Sequence, residues 1–325
     1  MFHRKAINVM EKTLPPKLAI VLPCYNEEEV LPDSIKTLSS LYHALKSGEV
    51  IEKNSFILFI DDGSKDNTFH LLKKYKNEFT RVLRLSTNKG HQCALLAGLE
   101  YVTDKVDCAI SIDADLQDDL DVIPQMINRY RNGAHIVCGV RSNRDTDKFF
   151  KRKSAKIFYW LMHKMGIPLI ENHADFRLLS NKALIEISRY KESNLFLRGL
   201  FPLINLKLET IEYAQKDRLK GHTKYTFHKM ISLAISGITS FSSVPIRMIT
   251  TIGFLLFLIT MILSINVLVV YMQGNVIPGW ASITLPMYFL GGIQLLSLGI
   301  IGEYIAKIYK ETKRRPPYHI EEILE

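Results

Sequence analysis

Cys108-Ala109-Ile110-Ser111-Ile112-Asp113-Ala114-Asp115-Leu116-Gln117 decides how this chain is read. A short apolar run ends in two carboxylates one residue apart. Residues i and i+2 of a strand share a face, so Asp113 and Asp115 at a strand's end can reach one cation together. Hard oxygen ligands suit Mg2+ or Mn2+, ions that commonly hold phosphates. Alone, an Asp-x-Asp is as readily a solvated turn. Its meaning depends on what flanks it.

Upstream, Lys17 to Pro23, Ser55 to Ile60 and Arg81 to Leu85 read as strands, and His135 to Val140 reads as another downstream. Continuous apolar runs fit parallel strands covered on both faces. Between them, helices are expected from a cap at Asn26-Glu27-Glu28-Glu29 toward Leu45, from Asp66-Asn67 to Lys76, and from Gln92 to Val102. Alternating strand and helix with short connections predicts an α/β layer with a mostly parallel sheet. Four polar clusters then fall just past strand ends: Pro23 to Glu27, Asp61-Asp62, Asp113 to Gln117, and Arg141. Each alone is ordinary turn chemistry. Together they mark the sheet edge that carries the ligand crevice in open α/β folds. No GxGxxG or GxxxxGK[ST] occurs, which argues against dinucleotide and P-loop sites.

The chain has 325 residues and a formal net charge of +9. No zinc-finger spacing or arginine-rich tract directs that charge to nucleic acid. An apolar C-terminal end directs it to a membrane surface instead. Cys24, Cys93, Cys108 and Cys138 show no CxxC spacing and read as reduced thiols of a cytosolic domain. Met1 to Lys17 lacks the apolar core of a signal peptide.

Past the sheet the pattern changes. Residues 148–165 interleave Phe149, Phe150, Phe158 and Trp160 with Lys148, Lys151, Arg152, Lys153 and Lys156. This predicts either a basic interfacial helix or a core helix with a solvated basic face. Residues 226–245 form a second candidate interfacial helix. Met248 to Met272 and Trp280 to Gly302 carry no charge over about 25 and 23 positions, each enough to cross a bilayer. The expected organisation is a cytosolic catalytic domain, 1–225, with transmembrane helices 246–272 and 280–304. An extracytoplasmic connector, 273–279, joins the helices, and a cytosolic tail, 305–325, follows. The connector lacks Lys and Arg, while Arg247, Lys307, Lys310, Lys313, Arg314 and Arg315 flank the spans. The positive-inside rule then puts both termini in the cytosol of a multi-pass cell-membrane protein.

These pieces resemble family 2 glycosyltransferases of the GT-A fold, in the polyprenyl-phosphate branch that includes bactoprenol glucosyltransferases and dolichyl-phosphate mannosyltransferases. The resemblance rests on Leu22-Pro23-Cys24-Tyr25-Asn26-Glu27-Glu28, Ile60-Asp61-Asp62-Gly63-Ser64, Asn88-Lys89-Gly90 and Asp113-Ala114-Asp115-Leu116-Gln117-Asp118. It continues in Ala174-Asp175-Phe176-Arg177 and Arg218-Leu219-Lys220-Gly221-His222-Thr223-Lys224-Tyr225 and covers almost the whole chain. By that resemblance Pro23, Tyr25, Glu27, Ile60 and Asp62 hold the base and ribose of a nucleotide-sugar. Asp113, Asp115 and Gln117 hold Mg2+ or Mn2+, with Ala114 against the nucleotide. Arg141, Arg218 and Lys224 contact phosphate. Asp175, Arg177 and Asp115 form the catalytic group, and Arg177 and Arg198 meet the lipid phosphate. Asp119-Leu120 stands where the family often has Pro, and Ala174 where it often has Gly, which leaves the sugar open.

The implied reaction moves glucose from UDP-glucose onto undecaprenyl phosphate. Its pathway partners would be a flippase and an outer-face glycosyltransferase, and a homo-oligomer is compatible. A dolichyl-phosphate mannosyltransferase using GDP-mannose and a non-catalytic membrane scaffold are the alternatives. A lipid monophosphate has a second pKa of about 6 and is already a nucleophile at neutral pH. Asp175 is therefore either a base or an orienting group.

Overall fold

A computed structural model of the protein describes residues 14–142, 170, 173–190, 197–215, 244–272 and 279–325. The expected apolar runs are strands β1 (Leu18–Cys24), β2 (Phe56–Asp61), β3 (Thr80–Leu85), β4 (Cys108–Ser111) and β5 (Ile136–Arg141). To these are added β6 (His173–Ser180), β7 (Leu208–Tyr213) and β8 (Ile320–Leu324). Helices α1 (Leu31–Ser47), α2 (Thr68–Lys74), α3 (His91–Val102), α4 (Ile123–Arg131), α5 (Asn181–Ser188) and the single turn α6 (Leu197–Leu200) connect them.

Among the described residues the strands form one sheet in the order β7-β5-β6-β4-β1-β2-β3-β8. β1 is parallel to β2 and β4, β2 to β3, and β5 to β7. β6 opposes β4 and β5, and β8 opposes β3. The architecture is thus the expected α/β arrangement around a mixed, mostly parallel sheet. The two-residue period of β1 explains its unbroken hydrophobicity. Leu18, Ile20 and Leu22 join the core under α1 and α4, while Ala19 and Val21 join the core under α3 and α5.

One local expectation is corrected. Asn26 does not cap α1, which begins at Leu31 after Val30 without a side-chain cap. Asn26 takes the left-handed backbone, φ 51°, and its Oδ1 accepts the Lys65 amide at 2.9 Å. Its side chain is spent on bracing the neighbouring loop.

The chain divides into two compact units. The sheet unit includes the last residues, Arg315–Glu325, so the segment read as a tail ends in a strand on the sheet. β3 is thereby spared an open edge. The other unit contains α7 (Val244–Met272) and α8 (Trp280–Thr312). Among the described residues one stretch, Phe289–Thr312, is long and apolar enough to cross a membrane, and none of it is buried. The second expected span is not established by that criterion. The expected basic helix at 148–165, the connector at 273–278 and nearly all of the segment at 226–245 lie outside the described residues.

Candidate active site at the C-terminal rim of the sheet

β4 ends at Ser111, two residues short of Asp113, so the acidic pair lies in a turn and not on a strand face. The Leu116 amide donates to the Asp113 carbonyl at 3.1 Å, and Leu116 itself has φ 47°. A leucine in the left-handed region is strained, and such strain gathers at functional sites. The turn is pinned from below by Ser34, whose hydroxyl donates to the Ala114 carbonyl at 2.6 Å. Ala114 is consequently buried against α1.

What stands opposite Asp113 is set by register. Ser111 pairs with Arg177 across the antiparallel β4–β6 ladder. Two residues nearer the rim on each chain brings Asp113 beside Asp175. His91, the first residue of α3, completes the group. Its Nε2 lies 3.4 Å from Asp175 Oδ2 and 3.7 Å from Asp113 Oδ1. One ligand atom from each of the three falls within 4.8 Å of the others. Two carboxylate oxygens and an imidazole nitrogen suit Mn2+ better than Mg2+, which prefers an all-oxygen shell. Asp115 is outside this group; its Oδ1 accepts the Gln117 amide at 3.4 Å. Gln117 Oε1 accepts from Gln215 Nε2 at 2.9 Å.

Behind Asp175 sits Arg177, 0% exposed, donating to Asp175 and to the Ala174 carbonyl. Its guanidinium stacks over Phe201 at 4.5 Å. The side chain expected at the lipid phosphate is therefore interior, and it orients the Asp175 carboxylate. The backbone of Arg198 lies in α6; its side chain, like Arg218 and Lys224, lies outside the described residues.

The expected nucleotide loops are braced against one another. The Asn26 amide donates to Ser64 Oγ at 3.0 Å, and that of Glu27 to Thr68 Oγ1 at 2.8 Å. Tyr25 and Glu27 are half-buried at the rim, whereas Pro23 is buried within β1. Ile60 is fully buried, and it faces Gly98 of α3, where a Cβ would meet the Ile60 and Val21 side chains at 2.7 Å. It packs the helix rather than lining the rim.

Asp62, 2% exposed, accepts the Lys89 amide on one oxygen and the Gly90 amide on the other, both at 2.8 Å. Burial pushes its carboxyl up, against the pull of those two amides. Asp62 thus fixes the loop that delivers His91. Gly63 lets that loop close down: its φ is 62°, and a Cβ there would meet the Thr87 and Asn88 backbone at 2.7–2.9 Å.

Arg141 closes the far side of the rim. Its Nη2 lies 3.4 Å from Asp118 Oδ1, and its Nε donates to the Tyr213 hydroxyl at 3.3 Å. Tyr213 in turn donates to Asp118. Burial pushes the Asp118 carboxyl up, opposed by the Tyr213 hydrogen bond and, more weakly, by Arg141. Sequence reasoning singled out Arg141 and took His91 as a hydrogen-bonding or phosphate-near residue rather than a metal ligand, whereas the structure groups it with Asp113 and Asp175; Asp118, Tyr213 and Gln215 were assigned no role. Asp118 lay inside a quoted motif and His91 directly after one; Tyr213 and Gln215 carried no local signal.

Comparison with known proteins identifies the family of the chain. Residues 19–188 match the family model described as glycosyl transferase family 2. An uncharacterised glycosyltransferase of Bacillus subtilis, YkoT, is 48% identical over 95% of this chain and 93% of that protein. The prophage bactoprenol glucosyl transferase homolog of Escherichia coli is 40% identical over 94% of this chain and 99% of that protein. The bactoprenol glucosyl transferase of Shigella phage SfX is 39% identical over 94% and 98%. With a family match across more than half its length and full-length relatives at this identity, the chain belongs to glycosyl transferase family 2 and is a glycosyltransferase.

Proposed function

We propose that this glycosyltransferase moves a single sugar, glucose from UDP-glucose, onto undecaprenyl phosphate at the cytosolic face of the cell membrane. The observation that carries the reading is the placement of Asp113 opposite Asp175, with His91 between them, at the rim where the braced loops end. Relatives named for bactoprenol and glucose, alike over nearly the full chain, support the substrate pair.

His91, Asp113 and Asp175 would hold a divalent ion, with Asp115 and Gln117 following in the same turn. Bound there, the ion would act as a Lewis acid on the donor's diphosphate. The chain's own residues do the rest. Tyr25, Glu27 and the loop fixed by Asp62 shape the nucleotide pocket. Arg141, preset by Asp118 and Tyr213, supplies fixed positive charge toward the leaving phosphates, and Arg218 and Lys224 of the family motif join it. The acceptor phosphate arrives already ionised, so Asp175 acts as an orienting group locked by Arg177. Arg198 remains a candidate for the lipid phosphate.

The apolar helices support membrane attachment. Ile262, Ile283, Met287 and Leu295 are each at least 67% exposed, which suits lipid and not water. Both ends of the helical segment lead back to the sheet unit: Tyr213 in β7 precedes it and β8 follows it. A two-span hairpin of α7 and α8 would return the chain to the side of the sheet, and this supports that reading.

The test uses purified full-length protein, undecaprenyl phosphate, Mn2+ or Mg2+, and a panel of labelled sugar nucleotides. Label from UDP-glucose is expected in the organic phase. If GDP-mannose label moves instead, the glucose donor is wrong. If no label moves and no nucleoside diphosphate is released, the transferase reading gives way to the scaffold.

A further inference from the structure

The last strand of the chain touches the same loop that the site depends on. β8 pairs antiparallel with β3: Val82 with Leu324, Leu83 with Ile323, Arg84 with Glu322, and Leu85 with Ile320. That register skips Glu321, leaving it as a bulge, and bulges re-aim a side chain. Glu321 is aimed at Arg84, 3.5 Å away. The same Arg84 nitrogen lies 3.5 Å from the buried carboxylate of Asp61, its partner in the β2–β3 ladder and the neighbour of Asp62.

One residue beyond β3, the Ser86 amide donates to the His319 carbonyl at 3.0 Å. This is where the loop to α3 begins, and its other end is held by the Lys89 and Gly90 amides on Asp62. α3 is gripped as well. Tyr318 donates to Glu100 and Tyr101 to Glu325, and Lys105 lies 3.9 Å from Glu325. The segment Ser86–Gly90 is therefore clamped between Asp62 on one side and the chain's end on the other. His91 begins immediately after it.

We propose that β8 is a positioning part of the donor site: by anchoring Arg84 and Ser86 it holds the Ser86–Gly90 loop on Asp62 and sets His91 against Asp113 and Asp175. The inference rests on the reading that this rim takes a nucleotide-sugar. A strand that merely covered the β3 edge would not place its bulge on Arg84 or its backbone on the first residue of the loop.

The experiment compares full-length protein carrying Glu321→Lys, Glu321→Asp and Glu322→Lys. Glu322 lies on the same strand but faces Lys73, at 3.8 Å. Two readouts are taken: deuterium uptake by the peptide containing Ser86 to His91, and donor KM against kcat. In Glu321→Lys the loop is expected to exchange about three- to fivefold faster, the scale of a partly exposed ion pair. Donor KM should rise by a similar factor with kcat held within about twofold. Glu321→Asp should stay close to wild type, and Glu322→Lys should leave both readouts unmoved. Unchanged loop exchange in Glu321→Lys, an equal change in Glu322→Lys, or faster exchange with unaltered donor KM each overturns the proposal. If the wild type turns over no nucleotide-sugar while Glu321→Lys still loosens the loop, the clamp stands and the donor reading is what has failed.

Discussion

Ser111 stands opposite Arg177 in the β4–β6 ladder, and its hydroxyl donates to the Asp175 carbonyl at 2.6 Å. This one pairing carries the acidic turn after β4 and the Asp-Phe-Arg motif of β6 to the same place. The two are more than 60 residues apart in sequence. Asp113 and Asp175 are then held by backbone geometry before any ligand arrives.

Asp113→Asn should be the most damaging change at the rim. Asp113 acts through the divalent ion it would hold, and weakening that electrophile at the leaving phosphates costs about a hundredfold or more in turnover. The Mn2+ concentration for half-maximal rate should rise as well. A titration of metal against initial rate checks both; a variant with wild-type metal dependence removes Asp113 from the metal group.

Arg177 and Asp175 form a buried ion pair, with side-chain exposures of 0% and 7%. Arg177→Met strands the carboxylate and should destabilise the fold by about 3–5 kcal/mol. Arg177→Lys keeps the charge but not the planar fork, so it should lose less stability while still impairing turnover. Denaturant unfolding and rate measurements on both variants separate the two effects.

At Gly63, alanine meets two obstacles: the positive φ and the Thr87–Asn88 backbone under 3 Å from its Cβ. Left-handed strain alone costs about 1–3 kcal/mol, and the contact adds to it. Gly63→Ala should lower the thermal midpoint and raise donor KM together, since the displaced loop is the one Asp62 holds. An unchanged KM would detach that loop from the donor.

Asp118 makes a pH prediction. Its folded carboxyl lies above the ordinary value of 3.8, chiefly through burial. Between that value and the raised one, the folded state holds the proton more tightly than the unfolded state. The contribution to stability is thus complete below about pH 3.8 and is lost as pH rises through the folded value. Asp118→Asn, which keeps an acceptor for Tyr213, removes this loss. The midpoint difference, variant minus wild type, should grow more positive from about pH 4 upward and then level off. A flat difference across that range would refute the assignment.

Much of this protein is legible in one dimension. The strands at 17–23 and 55–60 were readable because burial on both faces writes a nearly continuous apolar run, and those at 81–85 and 135–140 because short apolar stretches lie between turn signals. The rim motifs were readable because turn residues crowd at strand ends. Some placements inferred from the motifs came out differently in three dimensions. Ile60 belongs to the core because its neighbour in space is Gly98, and Arg177 is interior because Phe201 covers it. Neither neighbour lies near its partner in sequence.

The β8 strand shows the same division. Ile320-Glu321-Glu322-Ile323-Leu324 has no strong pattern of its own and reads as a charged tail after a long helix. Only the exposed edge of β3 makes it a strand, because unpaired backbone donors and acceptors there need a partner. The amino-acid sequence by itself determined the class of fold and the family, since periodicity and local motifs are properties of contiguous residues. Tertiary structure alone decided that His91 and Asp175 join Asp113, that Asp118 and Tyr213 preset Arg141, and that the chain's end clamps the loop before α3. Those are matters of register between strands distant in the chain, and register is settled by pairing and packing, not by any single stretch.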